Sequence, residues 1–446
     1  MTPFRRLGKI FIHLALLSLS LVFLLPWSGR CDDLSKVSNP AGLSTFFGGE
    51  VKLKGSVSDP PGDSLFTPVG TSPNADAGFN ARLKGEVSFA DPIDLEIHYE
   101  LVGLTGGTWR DGRKLARLYP WPGGEAGFGL RPISDRRRLF DLTKVIDEGE
   151  DGILYHRLDR LALTWKDRGR MLRLGRQAVT WGHGFLFNPM DLLNPFAPTD
   201  IERDYKIGDD MAFFQNPWGR GGDLQLVMVP RRHPESGKVA ANQSSFAAKV
   251  HFATGTVETD LMAARHYGDS VVGWGTVGYL ANAAWRLDFT WTLPDSEEES
   301  DYLSAVANID TSWVWLGKNW YGLLEFHYNG LGRDDYANSL RQERIAERLD
   351  RGELFVLGRF YLGAILQVEL HPLVNLYLTI ISNLEDPSGI LQPRLLWDVG
   401  QNLRLTVGGN FYCGGPETEY GGFETAGAGL TQRPAPSVFC WLSWYF

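Results

Sequence analysis

The sequence predicts a membrane-spanning antiparallel β-barrel of about eighteen strands, and three observations carry that expectation. First, the last nine residues, Val438 to Phe446 (VFCWLSWYF), alternate: Val438, Cys440, Leu442, Trp444 and Phe446 are apolar, while Phe439, Trp441, Ser443 and Tyr445 are amphipathic. A period of two marks a strand with one greasy and one wetter face. Second, short segments of this kind recur along the chain, and beyond the N-terminal run no stretch reaches eighteen apolar residues, which excludes a helical membrane protein. Third, the mean hydropathy is only −0.18, as it must be when lipid-facing and lumen-facing residues alternate. A final strand leaves an open edge unless another strand covers it. Pairing the last strand with the first closes the sheet. The competing fold is a soluble β-sandwich.

The N-terminus supports the barrel independently. Arg5, Arg6 and Lys9 precede an almost unbroken apolar run, Ile10 to Leu25, and Pro26 to Cys31 is turn-rich. This is the pattern of a secretory signal peptide, too short for a comfortable spanning helix. Cleavage after Cys31 puts Gly29 and Cys31 at the two small-residue positions, and Arg30 beside Cys31 argues against a lipidated cysteine. The expected organisation is a signal peptide at 1–31 and one barrel domain at 32–446. Four of the 44 basic residues (Arg5, Arg6, Lys9 and Arg30) leave with the leader, so 40 face 53 acidic residues. That balance argues against nucleic acid as a partner. Cys413 and Cys440 remain and flank the last loop; an oxidising compartment permits their pairing, yet Cys440 shares the parity of the lipid-facing set.

In chain order, strand 1 runs near Gly49 to Ser58, with Val51, Leu53 and Val57 outward and Lys52, Lys54 and Ser56 inward. Strand 2 sets Leu83, Val87 and Phe89 against Arg82, Lys84 and Glu86 and reaches a tight turn at Asp91-Pro92. Strand 3 is the cleanest alternation, Ile93, Leu95, Ile97, Tyr99 and Leu101 against Asp94, Glu96, His98 and Glu100. Residues 105–152 are too long for a structureless connection and should carry structure of their own. Strand 4 (Leu161, Leu163 and Trp165 out; Arg160 and Thr164 in) turns at Lys166 to Gly169 into strand 5, Arg170 to Val179. Further strands are expected near 207–216, 222–231, 245–253, 256–266, 271–279, 283–293, 302–315, 320–330, 355–370, 374–384, 390–398, 402–413 and 437–446. That makes eighteen, with sixteen as the alternative count. Short connections alternate with long ones, which puts both termini at the short-turn end, as barrels of this class require. Ser339 to Asp350 reads either as a short helix within a long loop or as a charged, solvated loop.

The most unusual stretch is Leu172 to Phe196, LRLGRQAVTWGHGFLFNPMDLLNPF. Two Asn-Pro turns, Asn188-Pro189 and Asn194-Pro195, lie among Phe185, Leu186, Phe187, Met190, Leu192, Leu193 and Phe196. So apolar a loop should not stand wholly in water. It either folds inward and narrows the lumen, bringing His183, Phe185, Phe187, Asn188 and Asp191 into a constriction, or packs over the rim or on a neighbouring subunit. Arg157, Arg160, Arg170, Arg173 and Arg176 fall on the two strands before it. A charge facing lipid near the midplane costs about 2–4 kcal/mol, so most should face the lumen or the rims. Arg176 has the lipid-facing parity of Leu172 and Leu174, which a register-flipping bulge at Gly175 would correct. With Lys52, Lys54, Arg82, Lys84 and Arg404, these guanidinium groups form either a basic track for anionic solutes or a set of ion pairs with Glu86, Asp94, Glu96 and Glu100.

Two resemblances follow. The aromatic final strand ending in Trp444, Tyr445 and Phe446 resembles the C-terminal strand of Gram-negative outer-membrane barrels, which implies that Trp444 and Phe446 serve as an assembly signal and that outer-membrane lipid and the barrel-assembly machinery are partners. The segment GRQAVTWGHG followed by NPMDLLNP looks like one found in porin-like outer-membrane proteins broadly similar to the alginate-export family; it covers residues about 157–200. His98, His183, His251, His266 and His327 are scattered without a recurring partner, and there is no Walker loop, haem-attachment site or zinc spacing. No cofactor, metal or enzyme activity is expected. The expected function is a porin-like channel for passive diffusion of small polar solutes, anions among them, with the 180–206 loop narrowing the lumen. The rival is a structural barrel that sheathes or exports an electron-transfer protein or a polysaccharide.

Overall fold

The computed structural model describes residues 37–38, 43–70, 72–89, 92–118, 134–200, 205–219, 221–425 and 430–446. The signal peptide expected at 1–31 lies outside them, as do Glu202, Arg203 and Asp204. Eighteen long antiparallel strands form the wall: β1 (Leu43–Ser58), β2 (Asn74–Phe89), β3 (Ile93–Gly106), β4 (Gly152–Asp167), β5 (Arg170–Gln177), β6 (Asp209–Trp218), β7 (Gly222–Val229), β8 (Ser245–Thr254) and β9 (Val257–His266). They continue as β10 (Asp269–Leu280), β11 (Ala283–Leu293), β12 (Tyr302–Trp315), β13 (Lys318–Asn329), β14 (Phe360–His371), β15 (Val374–Asn383), β16 (Ser388–Gly400), β17 (Leu403–Cys413) and β18 (Ser437–Tyr445). The barrel closes where β18 pairs with both β17 and β1, in the register Val51↔Trp444, Leu53↔Leu442 and Val57↔Val438.

The strand count is the one expected, and the boundaries moved where alternation is weak. β1 begins at Leu43 rather than Gly49, because 43–48 pairs with the far end of β2 although Phe46, Phe47 and Gly48 break the period of two. β14 begins at Phe360 rather than 355. At one end every connection is two or three residues long. Arg168-Gly169 and Leu316-Gly317 each carry two successive positive φ values (48° and 82°; 52° and 69°), the type I′ geometry that matches strand twist. The other end carries the long loops. Residues 107–151 contain α1 (Gly107–Leu118) and a strand Thr143–Glu148 that pairs with β4, and the 330–359 loop contains α2 (Tyr336–Arg341) and α3 (Glu343–Arg351), so Ser339 to Asp350 is helical in two pieces.

Burial separates the two faces in the sense opposite to a soluble sandwich. Apolar side chains of one parity are exposed, Val438 at 52% and Leu442 at 37%, while polar groups of the other parity are buried, Asp288 at 1% and Glu325 at 0%. Only a lipid surround leaves an apolar outer face stable. Trp165, Trp218, Trp313, Trp315 and Trp397 are exposed close to the short turns, where interfacial rings are favoured. Cys413 and Cys440 are free. Cys440 stands opposite Val407, six residues from Cys413 along β17, or about 20 Å of strand. That is far beyond disulfide reach.

Candidate functional site

The connection from β5 to β6 enters the barrel and is bonded to its far wall. Backbone N–H groups of His183 and Gly184 donate to the Asp288 carboxylate on β11, at 2.5 and 3.0 Å. Those of Phe185, Leu186 and Phe187 donate to Glu325 on β13, at 2.7, 2.9 and 2.7 Å. Five successive donors are thus satisfied by two carboxylates. Hydrogen bonds to charged acceptors contribute about 1.5–3 kcal/mol each before the cost of drying the carboxylate is subtracted.

Local sequence explains the shape of the segment. Gly182 has φ +84°, and a Cβ there would meet Asn188 Oδ1 at 2.1 Å, so the chain folds back only with glycine at this position. Asn188 donates to the Trp181 carbonyl at 3.0 Å, and the Asn194 side chain bonds Val179 N–H and the Ile207 carbonyl. Side chains then lock into the wall. Leu186 fills the space above Gly363 on β14, where a Cβ would meet its Cδ1 at 2.3 Å. Phe187 is buried and stacks on His327 with centroids 4.3 Å apart. Trp181, Met190 and Leu193 join wall residues Phe213, Val227 and Met262 in one apolar cluster. Farther along, the Thr199 carbonyl accepts from Gln392 on β16 at 3.0 Å.

Arg82, Arg157, Arg160 and Arg173 form ion pairs. Arg82 bonds Glu100 and Asp159; Arg157 bonds Glu100; Arg160 bonds Asp159 at 2.6 Å and the Lys206 carbonyl at 2.5 Å; Arg173 bonds Glu96. Lys206 pairs with Asp191, which ties the returning limb of the loop to its apolar turn. Lys84 donates to Tyr205 Oη at 2.6 Å, and Lys52 and Lys54 stand over Trp441, at 5.8 and 5.9 Å from its ring centroid. Arg404 bonds Asp398 at 2.7 Å, is half exposed, and lies near the short turns, apart from the rest.

Arg176 corrects an expectation. The β4–β5 and β5–β6 registers run unbroken through Gly175, so no bulge flips the strand. Gly175 instead takes φ +119°, and Arg176 at the strand's end is buried by loop residues. Its guanidinium bonds Asp210, at 2.9 Å, Asp135, at 3.1 Å, and the Phe140 carbonyl, at 2.8 Å.

Among the expected residues, His183, Phe185 and Phe187 come together on the far wall, Asn188 closes the turn on the Trp181 carbonyl, and Arg160 and Asp191 meet through Lys206. Asp288, Glu325, Gly363 and Trp181 escaped the sequence reading. A signal existed: the cross-strand neighbours of Glu325 are Asn308 and Gly363, and those of Asp288 are Gly275 and Val306, so neither acid has a basic residue directly paired with it. Among the described residues no His, Cys, Asp and Glu cluster is arranged to hold a metal ion.

A closed, lipid-faced barrel of eighteen strands with a polar, partly filled lumen defines a porin-like transmembrane barrel. Neither a protein-family model nor a curated relative matches the amino-acid sequence. Among solved structures the chain is similar to Pseudomonas aeruginosa OccK5 (OpdH), with 8% identity, 90% of this chain and 98% of that chain covered, and a TM-score of 0.52. It is similar also to Pseudomonas aeruginosa OccD3 (OpdP), with 7% identity, 94% of each chain and a TM-score of 0.50, and to Acinetobacter baumannii OccAB2, with 10% identity, 90% and 98% covered, and a TM-score of 0.50. The neighbours are Gram-negative outer-membrane porins, and at such identities the likeness establishes the fold. The comparison with the alginate-export family finds no support among them.

Proposed function

We propose that this chain is an outer-membrane channel through which small polar solutes diffuse passively, with the long loops facing outward and residues 181–199 narrowing the passage. The bonding of five successive backbone N–H groups to Asp288 and Glu325 carries the reading, because it fixes an apolar turn against the lumenal side of the wall. A preference for anions is read from the lumenal basic residues Lys52, Lys54, Lys84, Arg160 and Arg173 taken together, of which Arg160 and Arg173 bond Asp159 and Glu96. A barrel that sheathes or exports a macromolecule needs an unobstructed bore, and the docked segment speaks against it.

Reconstituted protein in planar bilayers tests the proposal. Discrete conductance steps and, under a salt gradient, a reversal potential of anion-selective sign support it. A membrane that stays sealed at every protein concentration contradicts the channel, and a cation-selective sign contradicts the preference.

A further inference from the structure

On the long-loop side of the docked segment lies a cavity of about 280 Å³, between residues 184–198 and residues 353–356. Its charged members are committed to one another. Lys206 pairs with Asp191, and Arg348 with Asp269, at 2.5 Å, and Glu353, at 3.1 Å. His266 bonds the Ser245 hydroxyl at 2.8 Å and lies 3.6 Å from Glu353. Burial pushes the Glu353 carboxyl up, but neighbouring His266 together with the charges of Arg348 and Arg351 outweighs it and holds the group at about 2. It is therefore an anion already matched by cations.

The rest of the lining brings hydroxyls together with apolar rings. Thr290 and Thr292 alternate on β11 and share a face; Ser304 and Tyr302 are their direct neighbours on β12. All four line the cavity, as do Pro189, Pro195, Phe196 and Phe355. Hydroxyls recognise hydroxyls by donating and accepting at once. Ring and proline faces cover the C–H surface of a saturated ring without asking for charge.

We propose that this cavity is a docking site for a neutral, hydroxyl-bearing ring, the chemistry of a monosaccharide, which waits there before passing the narrow section. The proposal rests on the channel reading for its role but not for its binding. A free anion or cation finds only charges already paired, and exchanging a matched pair for a ligand contact leaves a buried charge uncompensated.

Binding is measured directly, by equilibrium dialysis of the detergent-solubilised full chain with labelled D-glucose. Saturable binding in the millimolar range is expected. Thr290→Val combined with Ser304→Ala should weaken it roughly tenfold, since two neutral hydrogen bonds of about 1 kcal/mol or less are lost. Thr290→Ser, which keeps the hydroxyl, should bind like the wild type and shows that the fold survives changes here. No saturable binding, equal binding by the double variant, or tighter binding of gluconate than of glucose overturns the site. Conductance of the same preparation decides the channel reading separately.

Discussion

Phe187 donates its backbone N–H to Glu325 at 2.7 Å, across 138 residues of sequence. The same carboxylate takes the N–H groups of Phe185 and Leu186, and Asn308 braces it at 3.1 Å. One side chain of β13 therefore fixes the turn against the wall. Glu325→Gln keeps the shape but replaces a charged acceptor by a neutral one and brings a competing donor. Combined with Asp288→Asn it should loosen residues 183–187, seen as noisier single-channel currents and as cleavage within the segment by protease. Quiet currents and full protease resistance in the double variant would show that side-chain packing alone holds the turn.

Packing is tested apart from charge at Gly363. A Cβ at this position would sit 2.3 Å from Leu186 Cδ1, with no backbone atom nearer than 3.7 Å, so the segment and not the wall must yield. Gly363→Val should leave the barrel folded and heat-modifiable while displacing Leu186, with a change in unitary conductance. An unchanged conductance would mean that Leu186 does not border the ion path.

The strands and their order were legible because a lipid-facing strand writes its orientation as a period of two, and the turns at one end are all of two or three residues. The ion-pair row was half legible. Arg82, Glu100 and Arg157 are direct cross-strand neighbours, which needs the register to be known and not merely the strands. Arg176 misled, because parity fails at a strand end where a loop supplies Asp135 and the Phe140 carbonyl. The carboxylate dock was hidden for a simpler reason: its donors are backbone groups, which no side-chain pattern announces.

Arg160 and Arg173 are matched by Asp159 and Glu96, so removing the cations leaves Glu96 without Arg173 and Asp159 with Arg82 in place of two arginines. Arg160→Ala with Arg173→Ala should move the reversal potential toward cations at 0.1 M salt, and the shift should shrink at 1 M, where the screening length is about 3 Å. An identical reversal potential at low salt would place both groups away from the permeating ions.

At the end of the β1–β18 seam Gly49 and Phe446 exchange backbone hydrogen bonds at 2.9 and 3.1 Å. A Cβ at Gly49 would meet the Arg82 carbonyl at 2.3 Å and the Phe446 ring at 2.7 Å. Gly49→Val and Phe446→Asp should each reduce the heat-modifiable, membrane-inserted fraction sharply. Wild-type amounts of folded barrel from both variants would show that the β1–β18 seam tolerates the loss of this contact.

Single-channel conductance of a chain lacking residues 184–196 reads most directly where that segment lies. If this segment occupies the lumen on Asp288 and Glu325, its removal widens the narrowest section, and unitary conductance should rise well above that of the wild type in the same salt. A folded deletion variant whose conductance equals the wild-type value would contradict the proposed constriction.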